Sequence, residues 1–296
     1  ISMKKVLLKI DGMTCSACSA HVDKAVRGLD GVDDVEGSVE EKEVVKAQAL
    51  GLRAYYYFML VNLYGEPYNY NKKALGVPLK LTSALLENGI TRNTVEEVYT
   101  RIVIDLEQAS ALFGKYSKRR GDFRINGTAT DILLSRVYLY MEEWDRAIEA
   151  ANRAIKTAEG LTDYTTVEAG NQFYMTTYEL SEVEWLFDMS ITNFPFVPSG
   201  DLLSKYTNGD KRETLWFNAN GSISKRAQKS GWGPNRTIRI SEAYLNRAEA
   251  LVLSQNANIG EALADLNELR RHRIVGYQDI SISDATILLG EMWNVG

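Results

Sequence analysis

Histidine and cysteine are scarce in this chain of 296 residues, which has only two of each. A nucleophilic triad needs a histidine beside a serine or cysteine and a carboxylate. His21 lies near the N-terminus and His272 follows a basic helix end, and no Gly-x-Ser-x-Gly elbow is present. Gly231–Gly233 is too short to form a dinucleotide-binding loop. We therefore expect a protein that is not an enzyme.

Positive charge is also limited. The chain has 34 Lys and Arg residues and 39 Asp and Glu residues, which gives a formal net charge of −5. Basic residues cluster only at Lys118–Arg120 and at Arg270-Arg271, which is typical of solvated helix ends. This pattern argues against a nucleic-acid partner. The apolar run after Lys4-Lys5 is too short for a secretion signal, so we expect no complete targeting segment.

Aromatic residues, in contrast, are abundant, with 16 tyrosines. They are densest in Ala47–Gly65, an apolar stretch whose only charged residue is Arg53. The stretch lacks the alternation of a strand and ends at a glycine with Pro67 just behind it, which predicts a helix. A helix this apolar is expected to be buried on most sides, with other helices packed around it.

Further helices are predicted after the aromatic helix, although the chain lacks a regular period. Thr94 and Glu97 form a capping-box pattern, after which apolar residues recur at helical spacing to Phe113. Two helical hairpins are predicted, with small alanines facing large side chains, and they resemble tetratricopeptide units. Their apolar stripes run from Ala129 to Tyr140 and Trp144 to Ala158, and from Ile240 to Leu251 and Ala262 to Leu269, with Gly260 in the second turn. Glu184–Ile191 alternates as a short strand.

The N-terminal stretch has a different character, reading as a short strand, Lys4–Ile10, and a helix, His21–Leu29. Between them lies Gly12-Met13-Thr14-Cys15-Ser16-Ala17-Cys18, where the start of a helix lowers the pKa of a thiol. This part resembles the first half of a heavy-metal-associated, copper-chaperone-like domain, which implies Cys15 and Cys18 as Cu(I) ligands. The alternatives are an inert remnant and a redox-active cysteine pair. We assign residues 1–45 to this partial segment.

Candidate sugar-binding residues combine aromatic rings, which stack on sugars, with amides that bind hydroxyl groups. The predicted loop after the aromatic helix has both, at Tyr68, Asn69, Tyr70 and Asn71. Trp216 and Trp232, in a loop-rich part of the chain, are further candidates. A packed loop anchor is an equally good interpretation for Trp216.

From about Val45 to Ile274 the chain resembles the SusD/RagB family of outer-membrane nutrient-binding lipoproteins. The resemblance rests on an ordered set of blocks, which are Leu52–Gly65, Gly76–Leu79, Arg92–Tyr99, Ala129–Ala154 and Ile240–Arg270. It implies a mainly α fold in residues 46–296, in which tetratricopeptide-like helical hairpins support a loop-rich binding face. With the N-terminal strand-helix fragment, this completes the predicted architecture.

The resemblance also implies a function. Members of the family capture oligosaccharides or other nutrients at the cell surface and deliver them to a TonB-dependent, SusC-like transporter. The family is held to the outer membrane by a lipid anchor on an N-terminal cysteine, but Met13-Thr14 before Cys15 is not a lipobox. Ile287–Gly296 stops where family members continue. We therefore expect that the anchor and a C-terminal part of the family fold are missing. For the main domain no cofactor is implied.

Overall fold

Ten α-helices and a two-stranded sheet form the regular structure of the described residues, which in the computed structural model are 39–84, 89–167, 178–187, 198–218 and 236–294. The mainly α fold was therefore predicted correctly. Except for residues 39–42, the described residues belong to one compact unit, Glu43–Gly296. Cys15, Cys18 and Trp232 lie outside the described residues, so the predictions made for them stay predictions.

The helices follow one another along the chain and alternate with short strands. They are α1 (Val39–Tyr64), α2 (Tyr68–Asn71), α3 (Val95–Lys115), α4 (Gly127–Tyr140), α5 (Trp144–Thr157), α6 (Gly200–Ser204), α7 (Lys211–Trp216), α8 (Ile240–Leu253), α9 (Ile259–Arg271) and α10 (Ala285–Trp293). The strands are β1 (Val183–Phe187) and β2 (Arg236–Arg239), and a single 3₁₀ turn occupies Tyr164–Thr166.

Helix α1 is the aromatic helix, and it differs from the prediction in two ways. It begins at Val39, before the predicted Ala47, because Glu40 and Glu41 in its first turn suit the positive end of the helix dipole. It is also less buried than expected. Its inner face is buried, including Tyr55, Tyr57 and Phe58, whereas its outer face leaves large apolar side chains exposed, namely Val45, Tyr56, Met59, Leu60, Leu63 and Tyr64.

Arg53, the one charge in that apolar stretch, pairs with a buried carboxylate on α3. Its Nε lies 2.6 Å from Oδ2 of Asp105 and its Nη2 lies 2.8 Å from Oδ1. Asp105 is fully buried and also accepts hydrogen bonds from Arg101, one turn earlier on its own helix. Helix α3 begins with the predicted capping box, formed by Thr94 and Glu97.

The two predicted hairpins are present as α4–α5 and α8–α9, and they pack side by side through α5 and α8. A bidentate pair joins them, in which Arg136 of α4 donates to Glu242 of α8 over 2.5 and 2.6 Å. The prediction that Gly260 lies in the turn was wrong. Asn258 caps α9 by accepting from the backbone of Glu261, so Gly260 lies in the first helical turn.

The predicted strand is present as β1, which begins one residue earlier, at Val183, and pairs antiparallel with β2. Residues 188–191 of the prediction lie outside the described residues. Between Val183 and Trp185 the register shifts, which leaves Glu184 as the extra residue of a bulge. Trp185 is buried against the edge of Tyr55, with ring centroids 5.6 Å apart, and its indole N–H donates to the carbonyl of Phe123. The sheet therefore packs directly on α1.

Within the ranges that the structure describes, no helix combines the length and apolar character needed to span a bilayer.

Burial of Glu184 leads to a pH-dependent stability. Burial, together with the nearby carboxylate of Glu159, outweighs Arg120 and raises the pKa of Glu184 from 4.5 to about 7. Between these values the folded protein binds one more proton than the unfolded chain, so the free energy of unfolding falls as the pH rises. A shift of this size corresponds to about 3 kcal/mol.

We expect the variant Glu184→Gln to lack this fall, since an amide does not ionise. Urea denaturation at a series of pH values from 4.5 to 7 measures it. The control Glu213→Gln, which removes an exposed glutamate on α7, should keep the wild-type dependence. Identical pH profiles for the wild type and Glu184→Gln would refute the assignment.

Candidate functional site

The end of α1 and the chain that follows it form a tightly connected surface. Gly65 must be a glycine here, because a Cβ atom would lie 2.7 Å from the carbonyl oxygen of Val61. Arg92 then connects the end of α1 to the chain that follows α2. Its guanidinium donates to the carbonyl oxygens of Tyr64, Leu75 and Gly76 over 2.6–3.0 Å. These contacts to backbone carbonyl oxygens fix the two ends of the segment that contains Tyr68–Asn71.

That next segment, Tyr68–Asn71, was predicted to be a loop but forms a single helical turn, α2. The prediction was wrong because Pro67 begins a turn, and its carbonyl accepts from the amides of Tyr70 and Asn71 at 3.0 Å. The turn separates its side chains. Tyr68 points inward and is half-buried, whereas Tyr70 is 80% exposed, and Asn69 and Asn71 are also exposed.

Four aromatic rings pack in series beside this turn. The ring of Tyr68 lies 4.9 Å from that of Tyr99, which lies 6.1 Å from Phe58, and Phe58 lies 5.1 Å from Tyr140. Tyr99 and Phe58 are buried, while Tyr140 remains half exposed at the end of α4. The series therefore runs from the inner side of α2 to the end of the first hairpin.

Polar groups lie along the same series. Asn62 is exposed and accepts a hydrogen bond from the Tyr99 hydroxyl at 3.0 Å. Burial raises the pKa of Tyr99 well above its ordinary value, so this hydroxyl remains a donor. Asn69 donates to the carboxylate of Glu142 at 2.9 Å. We call the set Phe58, Asn62, Tyr68, Asn69, Tyr99, Tyr140 and Glu142 the tyrosine patch.

Glu142 has an unusual backbone conformation. It lies in the turn between α4 and α5 with φ of 60°, the one positive φ of a non-glycine residue in the described chain. Such a conformation is unfavourable for residues other than glycine, and it is enriched at functional sites. It places the carboxylate within reach of α2.

The other predicted candidate in the described chain, Trp216, lies in a separate cluster with Tyr164, Leu180 and Val183. Its ring meets the edge of Tyr164 at 5.9 Å and has the guanidinium groups of Arg212 and Arg239 each 5.7 Å away. It is half-buried at the end of α7. The structure therefore does not bring Trp216 into the tyrosine patch, and this position suits a packed anchor.

Sequence reasoning did not assign five members of the patch to the site. Phe58 and Tyr99 were predicted only as apolar helix residues. Tyr140 was assigned to the buried stripe of α4, and Glu142 was treated only as a turn residue. Asn62 had a usable signal, because it is a polar interruption of an apolar aromatic helix. In the part of the chain that the structure describes, no three His, Cys, Asp or Glu side chains are grouped so that they could hold a metal ion.

Comparison with known families gives one match by sequence. Residues 15–139 match the SusD-like_3 family, described as "Starch-binding associating with outer membrane". The match begins at Cys15 and ends within α4. Among curated proteins no sequence matches this chain.

Solved structures match over nearly the whole chain. A SusD superfamily protein from Bacteroides thetaiotaomicron is 24% identical, with a TM-score of 0.71 over 94% of this chain and 69% of its own. A SusD-like carbohydrate binding protein from Bacteroides vulgatus is 21% identical, with a TM-score of 0.69 over 94% and 65%. Surface glycan-binding protein A from Bacteroides uniformis is 16% identical, with a TM-score of 0.57 over 94% and 69%.

At these identities the structural likeness establishes the fold, which agrees with the resemblance seen in the sequence. The chain spans about two thirds of the length of these structures. The names of the second and third structures describe what those proteins bind, a carbohydrate and a glycan.

Proposed function

With the SusD-like fold as the premise, we propose that this chain binds an oligosaccharide, without transforming it, at the surface of a bacterial outer membrane. The family description and the names of the structural neighbours support a carbohydrate. The observation that carries the proposal is the tyrosine patch with its neighbour Tyr70, where exposed tyrosines lie among amides and a carboxylate.

The chemistry of the patch suits a neutral sugar. A tyrosine ring presents a flat apolar face to the C–H groups of a sugar ring, as Tyr70 and Tyr140 can. Asn62, Asn69 and Glu142 supply donors and acceptors for hydroxyl groups. Hydrolysis would need two carboxylates flanking the glycosidic bond, and the patch as defined holds only Glu142. Binding without turnover is the function that this set of groups supports.

The first test removes the exposed rings one at a time. We expect Tyr70→Ala and Tyr140→Ala each to weaken oligosaccharide binding about tenfold, because each removes a stacking surface worth about 1 kcal/mol plus its apolar contact area. A glycan array identifies the ligand, and isothermal calorimetry measures the dissociation constants. Phe123→Ala serves as the matched control, since Phe123 is an exposed aromatic outside the patch. An array with no bound glycan of any class would refute carbohydrate binding.

Delivery of the captured ligand to a TonB-dependent, SusC-like transporter, from a lipid-anchored protein, is the second part of the proposal. It is supported by the family description, which places these proteins at the outer membrane. Affinity purification from detergent-solubilised outer membranes should recover one such transporter at a fixed ratio to this protein. Recovery of the protein alone, under conditions that preserve other outer-membrane complexes, would contradict this part.

Metal binding at the N-terminus is a separate proposal, supported by the Gly-Met-Thr-Cys-x-x-Cys sequence around Cys15 and Cys18. Two thiolates suit Cu(I), which prefers soft ligands. Titration with a Cu(I)–chelator complex should give one bound copper per chain, lost in Cys15→Ser and in Cys18→Ser. An unchanged stoichiometry in the double variant would exclude this site.

A further inference from the structure

A second candidate site is a cavity lined by residues of α6, α7, α9 and α10. Residues Gly209–Lys211 run antiparallel to Arg273–Val275, with the amide of Lys211 donating to the carbonyl of Arg273 at 2.9 Å and that of Val275 to Gly209 at 3.0 Å. Gly209 adopts φ of 91°, and a Cβ atom there would lie 3.3 Å from the carbonyl oxygen of Val275. This short ladder forms one wall of a cavity of about 220 Å³.

The charged groups that line the cavity are mostly cations. Four come from Lys205, Arg212, Arg270 and Arg273, and two carboxylates come from Asp210 and Glu291, which leaves a formal excess of two positive charges. Both carboxylates already pair with lining arginines. Arg212 Nη2 lies 2.7 Å from Asp210 Oδ2, and Arg270 binds Glu291.

Arg273 is buried, with 7% of its surface exposed, and Arg212 is buried to a similar degree. Burial, and then the neighbouring charge of Arg212, lower the pKa of Arg273 to about 10, although Glu182, Tyr164 and Asp210 act in the opposite direction. Because burial and Arg212 disfavour the charged form of Arg273, a negative charge bound beside it would stabilise that form. Lys205 lies at the exposed rim, where its ammonium donates to the side-chain oxygen of Asn294 at 2.9 Å.

We propose that this cavity binds a small oxyanion, a carboxylate or sulfate group, between Arg273 at its base and Lys205 at its rim. Arginine suits this role because its planar guanidinium matches the geometry of such groups. A cavity of about 220 Å³ has room for a small anion or one acidic sugar unit. The site goes beyond the proposed function, because it shares no residue with the tyrosine patch.

Calorimetric titration of the whole chain with sodium glucuronate and with sodium sulfate, at constant ionic strength, tests the proposal. We expect saturable binding of one anion per chain, and no binding of glucose, which lacks the charge. Tighter binding of glucuronate would identify an acidic sugar as the ligand class, and tighter binding of sulfate an inorganic or ester sulfate. Absence of saturable binding of both anions would overturn the proposal.

Variants locate the binding in the cavity. Lys205→Gln removes an exposed cation and should weaken anion binding about tenfold, the loss expected for one charge-assisted hydrogen bond. Arg273→Gln should abolish binding, and Arg273→Lys should retain part of it. Should Arg273→Gln fail to fold, Lys205→Gln and Arg273→Lys still decide the question.

The matched control is Arg271→Gln, which removes a cation from the same end of α9 but outside the cavity lining. We expect it to keep the wild-type dissociation constant. Equal weakening by Arg271→Gln and Lys205→Gln would show diffuse charge attraction instead of a site. Tyr140→Ala should leave anion binding unchanged, so a failure of the carbohydrate proposal and a failure of this one are distinguishable.

Discussion

The contact on which the rest of the structure depends is the pair between Arg53 and the buried carboxylate of Asp105. Apolar contacts are not directional, so an aromatic helix alone could rotate or slide against α3 with little loss of buried area. Two parallel hydrogen bonds from one guanidinium to one carboxylate allow a single arrangement. Because Asp105 is fully buried, separating it from Arg53 and Arg101 would leave a charge without water, which costs several kcal/mol. The pair therefore sets both the rotation and the register of α1.

This register has direct consequences for the tyrosine patch. Phe58 and Asn62 are one turn apart on α1, and they meet Tyr99, which lies on the same helix as Asp105. Beyond them, Gly65 and the guanidinium of Arg92 determine where the chain turns into α2. The patch thus combines side chains from α1, α2, α3 and the first hairpin, and each of its rings contacts a ring on α1 or α3. The surface that we propose for binding is therefore largely formed without a ligand.

Local sequence patterns predicted most of this architecture, and the errors have physical causes. The capping box at Thr94 and the alanine-rich hairpins were predictable because periodicity and caps act within one element. The partner of Arg53 was not, since Asp105 is a single polar residue inside an otherwise apolar stripe and its role arises only between helices. The exposed face of α1 was missed because hydrophobicity reports which residues favour burial and not how much partner surface exists. Tyr140 was misassigned because a helical stripe does not say where its covering neighbour ends.

The strained backbone of Glu142 can be weighed against the place of its carboxylate in the tyrosine patch. A positive φ at a glutamate costs about 1 kcal/mol, and glycine or asparagine would adopt this conformation more readily. Glycine would ease the strain but would remove the carboxylate that accepts from Asn69. Because an exposed pair of this kind contributes little stability, the hydrogen bond alone hardly offsets the strain. The position of the carboxylate beside Tyr140 and α2 supplies the missing reason, since it adds a charged acceptor to a surface otherwise made of rings and amides. The strained turn is thus consistent with a place in the proposed binding surface.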